Sequence, residues 1–290
     1  MQTENSGSVK ETDMDIVMWH RLLYPYEQAV DELMLKFNYM KKEDQVFGRY
    51  CPIEHVIGRV KSITSILDKL QRKNVPLERV EQEIEDIAGI RIICQFVEDI
   101  SRIADVISKR SDIEVVEIKD YIRNKKQSGY RSFHMVVKYV VNSLDGPRTV
   151  NVEIQIRTMA MDFWATIEHS LQYKYKGEIP EHADVRLSNA ANAVSALDKV
   201  MSSVREDVMD AQLSSQIRNQ MVKDIAVTIE RLYRITPKRE VEKIQDEFYQ
   251  IYQTGNLDLL TRFYEQIQLI AETYKAQVNE RGEGLKKTDD

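Results

Sequence analysis

The spacing of hydrophobic residues predicts helices towards both ends of the chain. Over residues 16–42, apolar side chains recur every three or four positions, the spacing of one helix face. The same spacing predicts shorter helices over 62–73, which Pro76 ends, and over 98–110. Beyond Met159 the periodicity predicts helices over 159–175, 184–212, 214–235 and 238–279.

The middle of the chain has the composition of β-strands instead. The segment 88–97 (AGIRIICQFV) is apolar and rich in β-branched residues, and 113–119, 132–141 and 149–157 follow with similar composition. Turn residues at Asp145-Gly146-Pro147 make 132–157 a predicted hairpin. The pattern therefore indicates a mixed sheet with helices packed on it.

The domain organisation follows from these elements. A length of 290 residues is enough for one large or two modest domains. We expect a disordered leader over 1–14, a main domain over 15–212, a helical extension over 213–280 and a disordered tail over 281–290. Within the extension, Pro237 and the pair Gly255-Asn256 break the helical pattern.

Composition indicates which partners and which cellular compartment we expect for the protein. The formal charge of −6 argues against a protein that coats nucleic acid, although a local basic patch remains possible. No run of about 18 apolar residues predicts a membrane span, and the polar first residues lack the apolar stretch of a signal peptide. Cys51 and Cys94 are expected to be free thiols, so we expect a cytoplasmic protein.

Phosphate groups, if bound, must be held by side chains, because the common glycine-rich phosphate loops are absent. At 100° per residue, basic and hydroxyl groups fall within an arc of roughly 80° on one predicted helix: Lys61, Ser65, Lys69 and Arg72. The opposite side is apolar: Ile63, Ile66, Leu67 and Leu70. This stripe, with Arg59 before it, is either a solvated helix face or a phosphate-binding surface.

The last predicted strand has one apolar and one polar face, because strand side chains alternate. Its polar face carries Asn151, Glu153, Gln155 and Arg157. Arg91 and His134 belong to neighbouring predicted strands. The face is either plain exposed sheet or the floor of a cleft.

A basic segment and two carboxylates complete the candidate chemistry. In Lys119–His134, Tyr130 follows Gly129 at the start of a strand, where it could be core or could stack on a base. Asp86 and Glu153 could together hold Mg²⁺, which takes one or two carboxylates with phosphate oxygens and water. Carboxylates among many cations are typical of phosphoryl-type transfer.

Five strings in this order resemble the RelA/SpoT-type alarmone synthetases, in particular the small stand-alone (p)ppGpp synthetases. They are GRVK at 58–61, DIAGIR at 86–91, SGYRSFH at 128–134, VEIQIRT at 152–158 and FWATIEHSLQYK at 163–174. The resemblance runs over roughly residues 17–212. It implies an α+β, nucleotidyltransferase-like fold: a mixed sheet of about five strands flanked by helices, here with a helical C-terminal extension.

The resemblance implies transfer of pyrophosphate from ATP to the 3′-hydroxyl of GDP or GTP, with release of AMP. It makes Asp86 and Glu153 the Mg²⁺ ligands and Glu153 the base. The residues implied for ATP are Arg59, Lys61, Ser65, Lys69, Arg72 and Arg91. The residues implied for GDP or GTP are Lys126, Tyr130, His134 and Gln155, with Arg131, Arg157, Glu168 and His169 in supporting roles.

The resemblance also implies a homotetramer and possible binding of single-stranded RNA. Relatives that are activated by their product carry Lys, Lys, Phe, Thr and Asn at positions that here hold Met34, Asn38, His55, Ile57 and Asp162. Losing two cations and gaining an acid should weaken binding of an anionic effector. No His-Asp dipeptide occurs, so we expect synthesis without hydrolysis.

Two other functions stay open at this point. The chain could pyrophosphorylate another acceptor, such as an adenine nucleotide or tRNA, as toxic relatives do. It could instead be a catalytically silent regulator that binds single-stranded RNA through its basic segments. A silent regulator would not need Glu153, so the carboxylate pair favours the enzyme.

Overall fold

A computed structural model describes residues 6–174 and 180–286. Its first two thirds contain five strands, of which the first two are each followed by a helix and the last three follow one another directly. In chain order the elements are α1 (Ser6–Val46), β1 (Ile53–Val60), α2 (Ile63–Lys73), a 3₁₀ turn (Leu77–Arg79), α3 (Val80–Glu83), β2 (Ala88–Cys94), α4 (Val97–Ser108), β3 (Ile113–Asp120), β4 (Phe133–Ser143), β5 (Gly146–Thr158), α5 (Met159–Lys174), α6 (Glu181–Ile235), α7 (Lys238–Thr254) and α8 (Leu257–Lys286).

The five strands form one mixed sheet in the order β1-β2-β5-β4-β3. Strands β2 and β5 are parallel, and the other neighbouring strands are antiparallel. The predicted α+β fold, its hairpin of β4 and β5, and its helical C-terminal region are confirmed. Strand β1 was not among the strands that the pattern predicts, because an exposed edge strand such as Ile53–Val60 lacks a continuous apolar run.

The sheet has one apolar face and one polar face. On the apolar face, residues of α1 and α4 join the alternate strand residues in a single core cluster. Gly58 of β1 lets α1 approach closely, because a Cβ built there would lie 2.4 Å from the Met34 sulfur. The polar face carries charged and polar side chains such as Arg59, Arg91 and Glu153.

Helix α2 begins and ends at local signals. The Ser62 hydroxyl accepts a hydrogen bond from the Ser65 amide at 3.3 Å, and Asn74 ends the helix in the left-handed conformation with a φ of 53°. The predicted helix face was partly wrong. Lys61 precedes the helix, and of its predicted apolar side only Ile66 and Leu70 are buried, because that side covers just the edge of the core.

The domain boundaries differ from the predicted ones. The chain divides into two compact units, Met1–Ser203 and Val204–Asp290, and the division falls inside the continuous helix α6 rather than at residue 212. No proline or glycine interrupts α6 near that point. Helix α1 extends back to Ser6 and so includes most of the predicted leader. Helix α8 likewise extends into the predicted tail, to Lys286, and residues 1–5 and 287–290 lie outside the described ranges.

The second unit has an apolar core of its own. Residues of α6, α7 and α8 such as Leu232, Val241 and Phe263 form this cluster. Pro237 precedes α7, and Gly255 ends it with a φ of 69°, as the two predicted breaks require. Across the described parts of both units, no helix has the length and apolar composition needed to span a membrane.

We expect Asp112→Asn to destabilise the fold at neutral pH and not at pH 2. Asp112 accepts hydrogen bonds from Lys36 and Arg110, both at 2.7 Å, and the bond from Arg110 is the main cause that lowers its pKa from 3.8 to about 2. A pKa lowered by folding stabilises the protein above pH 4, and that stabilisation is lost as the pH falls towards 2. Solvent screens this ion pair, whose side chains are 34% exposed, so we expect a loss of about 1 kcal/mol.

Chemical denaturation of Asp112→Asn and of the parent protein from pH 7 to pH 2 measures this effect. Asp105→Asn is the matched control, since Asp105 is exposed on nearby α4. The free energies of unfolding of Asp112→Asn and parent should converge at low pH. If the free energies of unfolding of Asp112→Asn and parent differed by the same amount at pH 7 and at pH 2, the ionised Asp112 carboxylate would not be the cause.

Candidate active site

One cavity on the polar face of the sheet collects both predicted metal ligands and two of the residues predicted for the donor nucleotide, Arg59 and Arg91. Strands β1, β2 and β5 line it together with the segment just before β2. Its lining residues are Ile57, Arg59, Asp86, Gly89, Ile90, Arg91, Glu153 and Gln155. The two carboxylates that sequence analysis paired, Asp86 and Glu153, therefore face a common space.

Asp86 is bound by two lysines. Its Oδ1 accepts a hydrogen bond from Lys69 Nζ of α2 at 2.7 Å, and its Oδ2 accepts one from Lys61 Nζ at the end of β1. Burial raises the pKa of Asp86, but the hydrogen bonds and charges of the two lysines lower it by more. The net pKa lies below the ordinary value, so the carboxyl is ionised at neutral pH. Asp86 thus binds one lysine that follows β1 and one lysine from the middle of α2.

Glu153 is bound by a histidine and a glutamine. Its Oε1 lies 2.9 Å from Nδ1 of His134, and its Oε2 accepts a hydrogen bond from Gln155 Nε2 at 2.7 Å. Burial raises the pKa of Glu153, whereas His134 and Gln155 lower it to a net value below the ordinary one. The register of the sheet explains these contacts, because His134 of β4 pairs directly with Gln155 of β5.

Tyr130 continues this chain of contacts from the other side of His134. Its hydroxyl lies 2.9 Å from His134 Nε2, and its ring lies 5.0 Å from Lys126 Nζ and 5.6 Å from the Arg157 guanidinium. Tyr121, which sequence analysis did not single out, adds an edge-on ring contact 5.2 Å from His134. Burial raises the pKa of Tyr130, so the phenol is neutral and can donate.

Two arginines share one aspartate between these regions. Asp162 Oδ1, in the first turn of α5, lies 3.2 Å from Arg91 Nη1 and 3.5 Å from Arg157 Nη1. Among the described residues, the buried Nε atoms of both arginines have no hydrogen-bond acceptor. Unsatisfied buried donors are costly and mark functional positions or a site for a ligand acceptor.

Asp162 was considered in the sequence only as a position of the effector pocket. Its contact with two arginines of the sheet could not be found from spacing, since Arg91 lies 71 positions away in the chain. Of the other effector positions, Ile57 lines the cavity, and Met34 packs beside Gly58.

The remaining predicted residues are more dispersed. Ser65 lies in the first turn of α2, and the Arg72 guanidinium turns back to the Asp68 carbonyl of its own helix. On α5, Glu168 accepts a hydrogen bond from Gln172 and His169 is exposed. Arg131 binds α6 instead of the cavity, through the Ala191 carbonyl at 2.9 Å.

The carboxylates fit a magnesium ion only with help from a ligand. Among residues 6–174 and 180–286, no group of three or more His, Cys, Asp or Glu side chains is placed to hold a metal. Mg²⁺ usually takes one or two carboxylates and completes its shell with phosphate oxygens and water. Asp86 and Glu153 fit that donor set if a polyphosphate enters the same cavity.

The fold and the site are typical of proteins that bind phosphorylated nucleotides. Two lysines bind the Asp86 carboxylate, while a cluster of aromatic rings and His134 adjoins Glu153. Such a pair of environments suits two anionic ligands, one against each carboxylate. The comparisons with known proteins agree with that class.

The chain belongs to the RelA/SpoT family. A family model described as "Region found in RelA / SpoT proteins" matches residues 58–178. GTP pyrophosphokinase YjbM of Bacillus subtilis (strain 168) is 50% identical over 199 residues, which cover 69% of this chain and 94% of that protein.

Solved structures of the family are also similar to this chain. The small alarmone synthetase 1 of Bacillus subtilis bound to its product pppGpp superposes with a TM-score of 0.64 at 50% identity, covering 66% of this chain and 98% of that one. The same synthetase bound to AMPCPP gives a TM-score of 0.60 at 46% identity, covering 67% and 98%. The predicted family is therefore confirmed.

Proposed function

We propose that the chain is a GTP pyrophosphokinase that transfers pyrophosphate from ATP to the 3′-hydroxyl of GDP or GTP and releases AMP. The observation that carries this proposal is the shared cavity of Asp86 and Glu153, with cations on one side and the cluster of Tyr130 and His134 on the other. Relatives named GTP pyrophosphokinase and bound to AMPCPP or pppGpp support the choice of nucleotides.

The donor nucleotide is assigned to the side of β1, β2 and α2. Arg59 and Arg91 line the cavity with planar guanidinium groups, which stack well on an adenine ring. Lys61 and Lys69, which now bind Asp86, are close enough to turn towards a triphosphate, and Ser65 and Arg72 lie on the same helix. A cationic wall of this kind neutralises the phosphates and keeps the donor extended.

The acceptor nucleotide is assigned to the side of β4 and the segment before it. Tyr130 offers a ring for the guanine, with Lys126 over the same ring. His134 and Gln155 flank Glu153, so they can orient the ribose and its phosphates next to the base. Arg157 supports Tyr130 from the buried side.

Glu153 is assigned as the general base. The acceptor's 3′-oxygen forms a bond to the β-phosphorus of ATP while its proton passes to Glu153, and the bond from that phosphorus to the oxygen shared with the α-phosphate breaks. AMP leaves with that oxygen. Asp86 and Glu153 would hold Mg²⁺, which when bound adds charge neutralisation and orientation of the donor phosphates.

Pyrophosphate transfer can be measured with ATP labelled at the γ-phosphate. The protein is incubated with label and, separately, GDP, GTP, ATP alone or tRNA, and the products are separated. We expect label in a guanine nucleotide. Label only in tRNA or in a second adenine nucleotide would replace this function by that of the toxic relatives, and no transfer at all would favour the RNA-binding regulator.

We also propose a homotetramer with a possible affinity for single-stranded RNA, as the resemblance implies. Light scattering on the full chain measures the mass of the assembly. Filter binding with a single-stranded oligonucleotide measures the RNA affinity. A monomer, or no retention of the oligonucleotide, would contradict the respective proposal.

A further inference from the structure

The loop between β3 and β4 is held in a tight conformation. Gly129 has a φ of 91°, which favours glycine, and its amide donates to the Lys126 carbonyl at 2.9 Å. The Lys126 amide in turn donates to the Tyr130 carbonyl at 3.3 Å. These bonds set the directions in which Lys126 and Tyr130 project.

Helix α6 provides the surface on which this loop rests. A Cβ built on Gly129 would lie 2.6 Å from the Cβ of Ala191, so only glycine allows the observed approach. Arg131 Nη1 bridges the two segments, because it donates to the Ala191 carbonyl at 2.9 Å and to the Gly129 carbonyl at 3.1 Å. The loop is therefore seated on one turn of α6.

Asn192 joins the two cations on either side of the loop. Its Oδ1 lies 3.3 Å from Lys125 Nζ and 3.2 Å from Arg131 Nη2. An amide oxygen has two lone pairs and can accept from both donors at once. We call Lys125, Arg131 and Asn192 the α6 latch.

We propose that Asn192 is a positioning residue for the acceptor nucleotide, acting through the α6 latch on Lys126 and Tyr130. Asn192 lies on α6, beyond the residues 58–178 that the family model matches. The inference rests on the proposed function, because it takes the guanine site to lie at Tyr130.

The physical reason is that the latch holds two like charges with one neutral acceptor. Without the Asn192 oxygen, Lys125 loses this contact and Arg131 retains only carbonyl acceptors. The loop then samples positions in which the Tyr130 ring is displaced from His134 and Glu153. None of the three latch residues is among the residues that line the described cavity of Arg59 and Arg91.

The first test is kinetic. In Asn192→Ala we expect the KM for GDP or GTP to rise about five- to tenfold, the effect of losing one ordinary solvent-exposed hydrogen bond. The KM for ATP and kcat should stay within about twofold. Asn192→Asp should restore the parent KM, since a carboxylate oxygen also accepts from both cations. Asn189→Ala, at an exposed position one turn earlier, is the control.

The second test does not depend on activity. Hydrogen exchange of the Lys126 and Gly129 amides should become faster in Asn192→Ala than in Asn189→Ala, while exchange in the β-sheet is unchanged. Unchanged exchange, or an equal rise in the KM values for ATP and the acceptor, would overturn the proposal. If the parent protein transfers nothing to GDP or GTP, the proposed function fails, yet the exchange result still tests the latch.

Discussion

Glu153→Gln is expected to lower kcat at least about 100-fold while the protein still binds both nucleotides. Glutamine keeps the size of the side chain but cannot take the proton of the acceptor hydroxyl, and removal of a general base costs rates of this order. Because both Glu153 oxygens have partners in His134 and Gln155, the variant should keep its place in the network. Stopped-time assays with labelled ATP and GDP measure kcat, and calorimetry measures nucleotide affinity.

Glu78→Gln is the matched control, because Glu78 is exposed in a surface turn away from the cavity. Its kcat should equal that of the parent. If Glu153→Gln turned over at the rate of Glu78→Gln, Glu153 would not be the base. If Glu153→Gln lost nucleotide binding altogether, its role would be in forming the site rather than in proton transfer.

Tyr130→Ala is expected to raise the KM for GDP or GTP about 10- to 100-fold with little change in the KM for ATP. Stacking of a base on an aromatic ring is worth roughly 1–3 kcal/mol, which is about 5- to 150-fold in affinity and includes that range. The ring lies between Lys126 and Arg157, and its hydroxyl reaches His134. Steady-state kinetics with each nucleotide varied in turn measures the two KM values.

Tyr130→Phe separates stacking from the hydroxyl contact. It keeps the ring and removes the hydroxyl, which lies 2.9 Å from His134 Nε2 and accepts a hydrogen bond from Arg157 Nη2 at 3.4 Å. We expect its KM for the guanine nucleotide to stay within about fivefold of the parent value, the effect of one neutral hydrogen bond. A larger rise in the KM for ATP than for the acceptor in Tyr130→Ala would place the donor, and not the acceptor, at this ring.

Strand alternation alone predicted the polar wall of the site. Glu153 and Gln155 lie on the face opposite to Val152 and Ile154, which are fully buried. Alternation is a property of each strand's own backbone, so it does not depend on what the strand pairs with. The helix break at Gly255 was also predicted from local sequence, because the pair Gly255-Asn256 favours the end of a helix.

Features that depend on neighbours in space were missed or only partly predicted. Lys61 was placed on a helix face, yet it follows β1 and reaches Asp86 because β1 and β2 lie side by side. The predicted helix boundary near residue 212 was wrong because α6 is continuous there. The contact of Asn192 with the loop between β3 and β4 had no signal in the sequence, since a single exposed asparagine on a helix has no characteristic spacing.

The sequence by itself determined which side chains share a face of β5 and where Pro237 and Gly255 break the C-terminal helices, and its five strings determined the family. The pattern of faces depends only on stretches of about ten residues, because the backbone geometry of a strand or helix fixes how often side chains point to the same side. Only the tertiary structure decided which charges meet: two lysines on Asp86, two arginines on Asp162, and one histidine between Glu153 and Tyr130. These contacts depend on the strand order β1-β2-β5-β4-β3, which brings residues that are distant in the chain within hydrogen-bonding distance.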